Sequence, residues 1–332
     1  CGHRPARGRG GGGESMCAGA GRDGGGWGTG RRVPRVPPRR VGAGLVRAVG
    51  ATLVAACSGS TTTAVSARAH EARFNQALHD RLPQSVRDRG VLRVGTDASY
   101  APMSEYGPDG RTIIGMEPDL GVEIGHVLGV RLQFIRTDFD KLLADVARGD
   151  LDLAIAAMTD TPERAKTADF VNYFTAGTSI VVQRGNPAGV TELNDLCGKV
   201  VAVETSTTQV DLLARTQKNC GTRPIIVKTY ATNSDALLQL RTGRAVAVLN
   251  DLPPAIFLVN DARTRSQYQL ASNAQYEPGL YGIVVAKSQT GLRDAVRGAL
   301  EELLRNGVYA DVLARWKVQT GAVQQITVNS NR

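Results

Sequence analysis

The sequence predicts an α/β fold of two lobes. From Val91 onward, short apolar or β-branched runs alternate with helix-period segments, which is typical of βαβ units around a mainly parallel sheet. The strands are too many for one ordinary sheet, and turn-rich connectors interrupt the alternation at 184–187 and 277–279. We therefore expect two lobes joined by a hinge of two crossovers: residues 91–184 with 279–332, and residues 185–278.

Each element follows from local composition and period. The predicted strands are rich in Val, Ile and Leu: Val91–Thr96, Arg131–Thr137, Leu151–Met158, Thr178–Gln183, Lys199–Glu204, Ile225–Tyr230, Ala245–Leu249 and Tyr281–Ala286. The predicted helices show the 3.6-residue period: Asp119–Leu128, Phe139–Arg148, Gln209–Lys218, Asn233–Thr242, Leu292–Arg305 and Tyr309–Trp316. A leading amphipathic helix is expected within 65–88, with Phe74, Leu78 and Leu82 on one face.

The net charge of +9 is unevenly distributed along the 332 residues. Residues 1–56 contain ten Arg against Glu14 and Asp23, a local net charge of +8, so the remaining chain carries 9 − 8 = +1. A nearly neutral body lacks the basic surface that nucleic acid requires. We expect no nucleic-acid partner.

Residues 1–40 are rich in Gly, Arg and Pro and have no hydrophobic period. They cannot bury enough apolar surface to offset chain entropy, so we expect a disordered basic leader within 1–56. The missing initiating Met leaves open that this stretch lies upstream of the true translation start. A basic tail that binds anionic lipid is the alternative.

A short apolar segment, 41–56, follows the basic run and precedes Cys57. This order is typical of a secretory signal peptide, and the segment, interrupted by Arg47, is too short for a membrane span. The sequence Leu53–Cys57 resembles a bacterial lipobox, in which the Cys is lipidated and becomes the first mature residue. We expect residues 57–90 to comprise lipidated Cys57, a polar tether and the leading helix, anchored to the outer face of the cytoplasmic membrane. An ordinary signal peptide with an incidental Cys is the alternative.

Two cysteines remain once Cys1, Cys17 and Cys57 are assigned to the leader and the lipid: Cys197 and Cys220. A pair of this kind in an exported protein predicts a disulfide. A reduced or metal-bound pair is less favoured, since no His lies near it in the sequence. We expect no metal and no cofactor.

Polar side chains follow the predicted strands at their carboxyl ends, where open parallel sheets bind ligands. They are Asp97 and Tyr100, then Arg164, then Thr207 and Thr208 at a helix start, then Asp251. Arg164 can bind a carboxylate through two parallel hydrogen bonds, and the helix start adds a second anion site. The two Asp side chains can accept from an ammonium group. The set is complementary to a zwitterion.

Each of these residues also has a simpler interpretation. An Asp after a strand is commonly a turn or cap residue, and Thr-Thr before a helix is commonly an N-cap. Arg164 is also consistent with a solvated surface charge. The prediction therefore rests on the combination.

Four segments resemble the solute-binding proteins of polar amino-acid ABC transporters, family 3. They are 94–102, 159–170, 197–203 with Thr207–Gln209, and 249–253. The resemblance covers about Val91 to Val318 and implies a type II periplasmic-binding-protein fold whose lobes close on one amino acid. It also implies an ABC permease as partner; we expect a monomer. Met103 and Ser206 depart from the family, which usually has an aromatic residue and a Gly there.

The resemblance also implies roles for individual residues. Asp97 and Asp251 would hold the α-ammonium group, Thr159 and Arg164 the α-carboxylate from the first lobe, and Thr208 the α-carboxylate from the second lobe. Tyr100 and Phe139 would stack on the ligand side chain. Ala157, shortly before Thr159, completes this part of the expected site.

The ligand side chain is predicted to be polar, with glutamine or a cationic amino acid favoured. Glu204 and Asn250 end strands of the second lobe and are expected to face the cleft. An aliphatic ligand would leave both groups without partners, and an acidic ligand would be repelled by Glu204.

Enzymatic motifs are scarce: there is no phosphate-binding Gly-rich loop after a strand and no Gly-x-Ser-x-Gly elbow. We expect no enzyme. The alternatives are an exported dehydratase-like enzyme that uses Glu204 as acid or base, and a ligand-sensing subunit of a signalling system. The second is disfavoured because no transmembrane segment follows Cys57.

Overall fold

The computed structural model describes residues 70–330, which lie in the compact unit that spans residues 65–332. The expectations for the leader, the signal peptide, Cys57 and the tether fall on residues outside this range. Within it, no helix is both long enough and apolar enough to cross a membrane.

The described part of the chain contains thirteen strands, nine α-helices and four short 3-10 helices. The strands are β1 Val91–Thr96, β2 Ser99–Tyr100, β3 Ser104–Tyr106, β4 Ile113–Ile114, β5 Arg131–Arg136, β6 Leu153–Ala154, β7 Ala168–Gln183, β8 Val200–Glu204, β9 Ile226–Tyr230, β10 Ala247–Asp251, β11 Tyr268–Leu270, β12 Tyr276–Ala286 and β13 Ala322–Val328. The helices are α1 Gln76–His79, α2 Gln84–Arg89, α3 Met116–Leu128, α4 Phe139–Arg148, α5 Thr208–Thr216, α6 Asn233–Arg241, α7 Leu252–Asn260, α8 Thr290–Asn306 and α9 Val308–Arg315.

One curled sheet runs through the molecule in the order β5-β1-β6-β12-β7-β10-β8-β9, with β11 and β13 also paired to β7. The outer pairs β1/β5, β1/β6, β8/β9 and β8/β10 are parallel, as expected for βαβ units. The central strands β7 and β12 run antiparallel to each other and to their other neighbours. The sheet is therefore mixed, with parallel flanks on an antiparallel centre.

The buried apolar side chains divide into two groups along the sheet. One group comprises two clusters drawn from residues 82–174 and 281–326. The other comprises two clusters drawn from residues 180–268. Inside β7 the change from one group to the other falls between Phe174 and Ile180. We call the first group lobe 1 and the second lobe 2; β7 and β12 connect them, and the predicted lobe boundaries stay a prediction.

Several elements differ from the sequence expectation. The leading segment forms two short helices broken at Pro83, and Phe74 lies outside both and is 54% exposed. Helix α7 was not predicted, although Pro is well tolerated in a first helical turn. The C-terminal strand β13 was missed because its pairing partner, β7, lies far away in the sequence.

The disulfide prediction is confirmed: Cys197 and Cys220 are bonded, with Cα atoms 5.3 Å apart. Cys197 precedes β8, and Cys220 follows α5. The bond therefore closes one βα unit of lobe 2.

Replacing both cysteines by serine is expected to lower the free energy of unfolding by about 3 kcal/mol, because the bond restricts a loop of this length in the unfolded chain. Denaturant titration measures this change. Ligand affinity should stay unchanged, because neither cysteine lines the cavity described below. A loss below about 1 kcal/mol would contradict the chain-entropy explanation.

Candidate functional site

A cavity of about 360 Å³ lies between lobe 1 and lobe 2. Its walls come from both lobes: Asp97, Tyr100, Phe139, Ala156, Ala157, Thr159, Arg164, Glu204, Thr207, Thr208, Gln209 and Asp251. The wall carboxylates Asp97, Glu204 and Asp251 are only 3%, 6% and 6% exposed, so little of the cavity is open to solvent. We therefore expect an amino acid to enter when the lobes move apart on the connecting strands β7 and β12.

Two carboxyl groups meet across the cavity. Asp97 follows β1 in lobe 1 and is 3% exposed, and Glu204 ends β8 in lobe 2 and is 6% exposed. Each has one buried oxygen without a hydrogen-bond partner among the described side chains when both groups are ionised. A proton on one of them allows a hydrogen bond between the two.

The electrostatics of this pair favour one shared proton. Burial, followed by repulsion from Asp97, raises the pKa of Glu204 to about 10. Burial also raises the pKa of Asp97, which accepts from the Ser99 hydroxyl at 2.7 Å. Arg136 lowers both pKa values but does not outweigh desolvation. Near neutral pH, Glu204 is therefore the protonated member.

The third carboxylate, Asp251, is already well supplied with donors. The Tyr281 hydroxyl donates to it at 2.5 Å and the Gln209 amide at 2.6 Å. Its backbone N–H donates to the Tyr100 hydroxyl at 2.9 Å. Burial raises the pKa of Asp251 to about 6, so the group is mostly ionised at neutral pH. Asp251 is thus a fixed negative charge.

Arg164 is the cation of the site. Its Nη1 donates to the Thr159 carbonyl and its Nη2 to the Ser206 carbonyl, both at 2.8 Å. The guanidinium lies 5.5 Å from the centroid of the Phe139 ring. Burial lowers its pKa to about 10, which leaves it charged at neutral pH. A guanidinium has five N–H donors, so these two bonds leave capacity for an anion.

The N-terminus of α5 opens on the cavity beside Arg164, because Thr207 and Thr208 line the wall. The Thr207 hydroxyl donates back to the Glu204 carbonyl at 2.8 Å and does not cap the helix. Ser206, just before it, has a φ of +61°. This left-handed backbone favours glycine, which gives a physical reason for the glycine usual in the family.

Nearly all of the predicted site residues come together at this cavity. Asn250 does not: it is 1% exposed and does not line the wall. Successive residues of a strand point to opposite faces, so Asp251 in the wall turns Asn250 away. The structure therefore places Asn250 outside the cavity wall, and its role in ligand binding stays a prediction.

Sequence reasoning also missed groups that support the site. Gln209 and Tyr281 hold Asp251, but their roles depend on contacts between distant segments. Ala156 adds a further apolar wall residue. No cluster of three or more His, Cys, Asp or Glu in residues 70–330 is arranged to hold a metal ion.

Comparisons with known proteins all find solute-binding or amino-acid-binding proteins. The family profile of the bacterial extracellular solute-binding proteins, family 3, matches residues 92–319. The arginine-binding protein ArgT of Corynebacterium glutamicum is 27% identical over 75% of this chain and 81% of its own length. The L-cystine-binding protein TcyJ of Escherichia coli K12 is 28% identical over 71% of this chain and 85% of its own length.

A solved structure extends this likeness to the fold. An ancestral arginine-binding protein bound to glutamine superposes with a TM-score of 0.64 at 32% identity, covering 69% of this chain and 99% of the other. The family profile covers well over half of the chain and includes every residue of the cavity wall. The chain therefore belongs to the bacterial extracellular solute-binding proteins, family 3.

Proposed function

We propose that this solute-binding protein captures a polar amino acid, with a cationic one or glutamine preferred, and delivers it to an ABC permease. The observation that carries the choice of ligand is the pair of facing carboxyl groups, Asp97 and Glu204. The relatives named above bind arginine and cystine, and the ancestral protein was solved with glutamine.

Arg164 and the N-terminus of α5 would bind the ligand carboxylate. Both line the same part of the cavity, and one comes from each lobe. The guanidinium supplies charge-assisted hydrogen bonds, and the helix start supplies N–H groups and a partial positive charge. A carboxylate held by both would also hold the two lobes together.

Asp251 would bind the ligand ammonium group. Its carboxylate is held by Gln209 and Tyr281, and its charge lies near enough to Arg164 to affect the pKa values of both groups. A zwitterion with its carboxylate on Arg164 would place its ammonium group near Asp251. In this assignment Asp251 alone binds the ammonium group, whereas the family resemblance implied that Asp97 and Asp251 bind it together.

Asp97 and Glu204 would then bind the distal end of the ligand. A cationic side chain between them can replace the shared proton and satisfy both ionised groups. A glutamine amide can donate to Asp97 while Glu204 stays protonated. A leucine side chain leaves buried carboxyl oxygens without partners, at about 1–3 kcal/mol each.

Calorimetric titration of the refolded, ligand-stripped protein against the twenty amino acids tests this proposal. Arginine, lysine or glutamine should bind tightest. Tighter binding of leucine or glutamate would refute the ligand assignment, and absence of binding to all twenty would refute the function.

The protein is expected to act as a monomer on the membrane surface, to which a lipid on Cys57 attaches it. The support for this part is the lipobox-like sequence before Cys57 and the extracellular character of the family. A tether to the membrane would keep the loaded protein close to its permease.

One observation favours a second function, that of an exported dehydratase-like enzyme. A carboxyl group that is protonated at neutral pH and lines a cavity, as Glu204 does, is suited to act as a general acid. Mass spectrometry of the ligand after overnight incubation separates the two functions. An unchanged amino acid supports binding alone, and conversion to a dehydrated product supports the enzyme.

A further inference from the structure

Glu117 is a fully buried acid in the first turn of α3, at 0% exposure. Its Oε1 accepts from the backbone N–H of Ala157 at 2.6 Å and also from the Tyr173 hydroxyl. Its Oε2 has no hydrogen-bond partner within the described part of the chain. Neither the predicted site nor the cavity wall includes Glu117.

The backbone that Glu117 holds is strained. Ala157 lines the cavity with a φ of +49°, in the left-handed region that is unfavourable for residues with a Cβ. Such a conformation persists where the surroundings determine it. The hydrogen bond from the Ala157 N–H to Glu117 is one contact that holds Ala157 in this left-handed conformation.

The strained residue connects directly to the anion-binding side of the cavity. After Ala157, the Met158 carbonyl accepts from the Gly282 N–H at 2.9 Å, and Thr159 forms a bridge with Tyr281. The Thr159 carbonyl in turn accepts from Arg164 at 2.8 Å. Glu117 therefore anchors the first residue of a short segment that ends at the guanidinium.

We propose that Glu117 is a positioning residue, which fixes the left-handed backbone at Ala157 and thereby sets the ligand affinity of the cleft without contacting the ligand. This inference rests on the proposed binding function of the same cavity. It assigns a role in affinity to a side chain that lies beneath the wall.

The positioning role depends on an acceptor oxygen rather than on a full charge. Burial raises the pKa of Glu117 to about 7, and Asp97 adds repulsion. Both the carboxylate and the carboxylic acid keep an oxygen that can accept from Ala157. Glutamine, which has an amide oxygen at the same distance along the side chain, should substitute for glutamate.

Three variants test the inference with L-arginine as the probe. E117L, which lacks the acceptor, should bind arginine at least about tenfold more weakly than the wild type. E117Q should stay within about threefold. The double variant E117L/A157G should recover to within about threefold, because glycine adopts a positive φ without the cost that alanine carries.

A second readout requires no ligand. Amide hydrogen exchange of the peptide 155–161 should be faster in E117L than in the wild type, and should stay near the wild-type rate in E117Q. L120A is the matched control, since Leu120 is equally buried in α3 but its apolar side chain cannot accept the Ala157 N–H that Glu117 accepts. It should lose stability while keeping its arginine affinity within about threefold.

The results that would contradict the positioning role of Glu117 differ from the result that would contradict the proposed binding function. Equal affinity and equal exchange in E117L and the wild type would overturn the positioning role, as would failure of A157G to restore affinity. A tenfold loss in E117Q would overturn it in favour of a direct charge effect. If the wild type binds no amino acid, the proposed function fails, and the exchange readout still decides the inference. If E117L does not fold, E117S takes its place, because serine is tolerated in a first helical turn but is too short to reach Ala157.

Discussion

Replacing Arg164 by alanine is expected to weaken amino-acid binding by about two to three orders of magnitude, because loss of one partner of a buried ion pair costs about 3–5 kcal/mol. Arg164 is the cation of the cavity wall, and the α5 N-terminus alone supplies only a partial charge. Titration calorimetry with arginine or glutamine measures the loss. Circular dichroism and the thermal midpoint establish that the variant is folded.

Two matched variants sharpen this result. R164K keeps the charge but not the planar fork, so it should recover only part of the affinity. R148A removes an exposed arginine that pairs with Asp145 and Asp150 away from the cavity, and it should bind like the wild type. A fall of less than about tenfold in R164A would mean that Arg164 does not bind the ligand carboxylate.

Arginine binding is expected to strengthen by at least about tenfold between pH 6.5 and pH 8.5, through release of a proton from Glu204. The pKa of Glu204 is about 10 in the cavity as it stands. A guanidinium next to Asp97 and Glu204 favours the ionised form, so the pKa falls on binding. At a pH between the pKa of Glu204 in the bound protein and its pKa in the free protein, arginine competes with one proton for the site. A rise in pH removes that proton and so strengthens binding.

Calorimetry in two buffers of different ionisation enthalpy measures the released proton directly. E204Q is the control, because its amide imitates the protonated acid and keeps the hydrogen bond to Asp97. E204Q should release no proton from position 204 and should lack the pH dependence of arginine affinity that Glu204 causes. At pH 8.5 it should bind arginine more weakly than the wild type. E204Q retains Asp251 and Glu117, whose pKa values of about 6 and about 7 lie near the tested pH interval. Any pH dependence that these two groups cause is therefore present in both proteins. An identical pH slope in the wild type and E204Q would contradict the assignment.

Local sequence patterns predicted much of this protein correctly. The parallel strand–helix units, the disulfide and the convergence of the strand-end residues on one cavity depend on nearby residues, on counts of residue types, or on the rule that ligands bind beyond strand ends. Asp97, Arg164, Thr208 and Asp251 could therefore be identified before any contact between them was known. The resemblance to a family then supplied their roles.

Side-chain orientation was less predictable than side-chain identity. In β10, Asn250 and Asp251 are both polar and both buried, and the sequence offers no alternation that distinguishes them. Strands covered on both faces have no polar face to reveal their orientation. Only the packing of β10 against β7 and β8 decided that Asp251 faces the cavity.

The sequence by itself determined which chemical groups this protein carries to the strand ends and which cysteines pair, because these follow from local pattern and composition. The tertiary structure alone decided that Asp97 meets Glu204 across the two lobes, and that Glu117 holds Ala157 in a left-handed conformation. Both arrangements join residues that are distant in the chain. Their energies come from burial, from repulsion between like charges and from hydrogen bonds between distant segments, which exist only once the chain is folded.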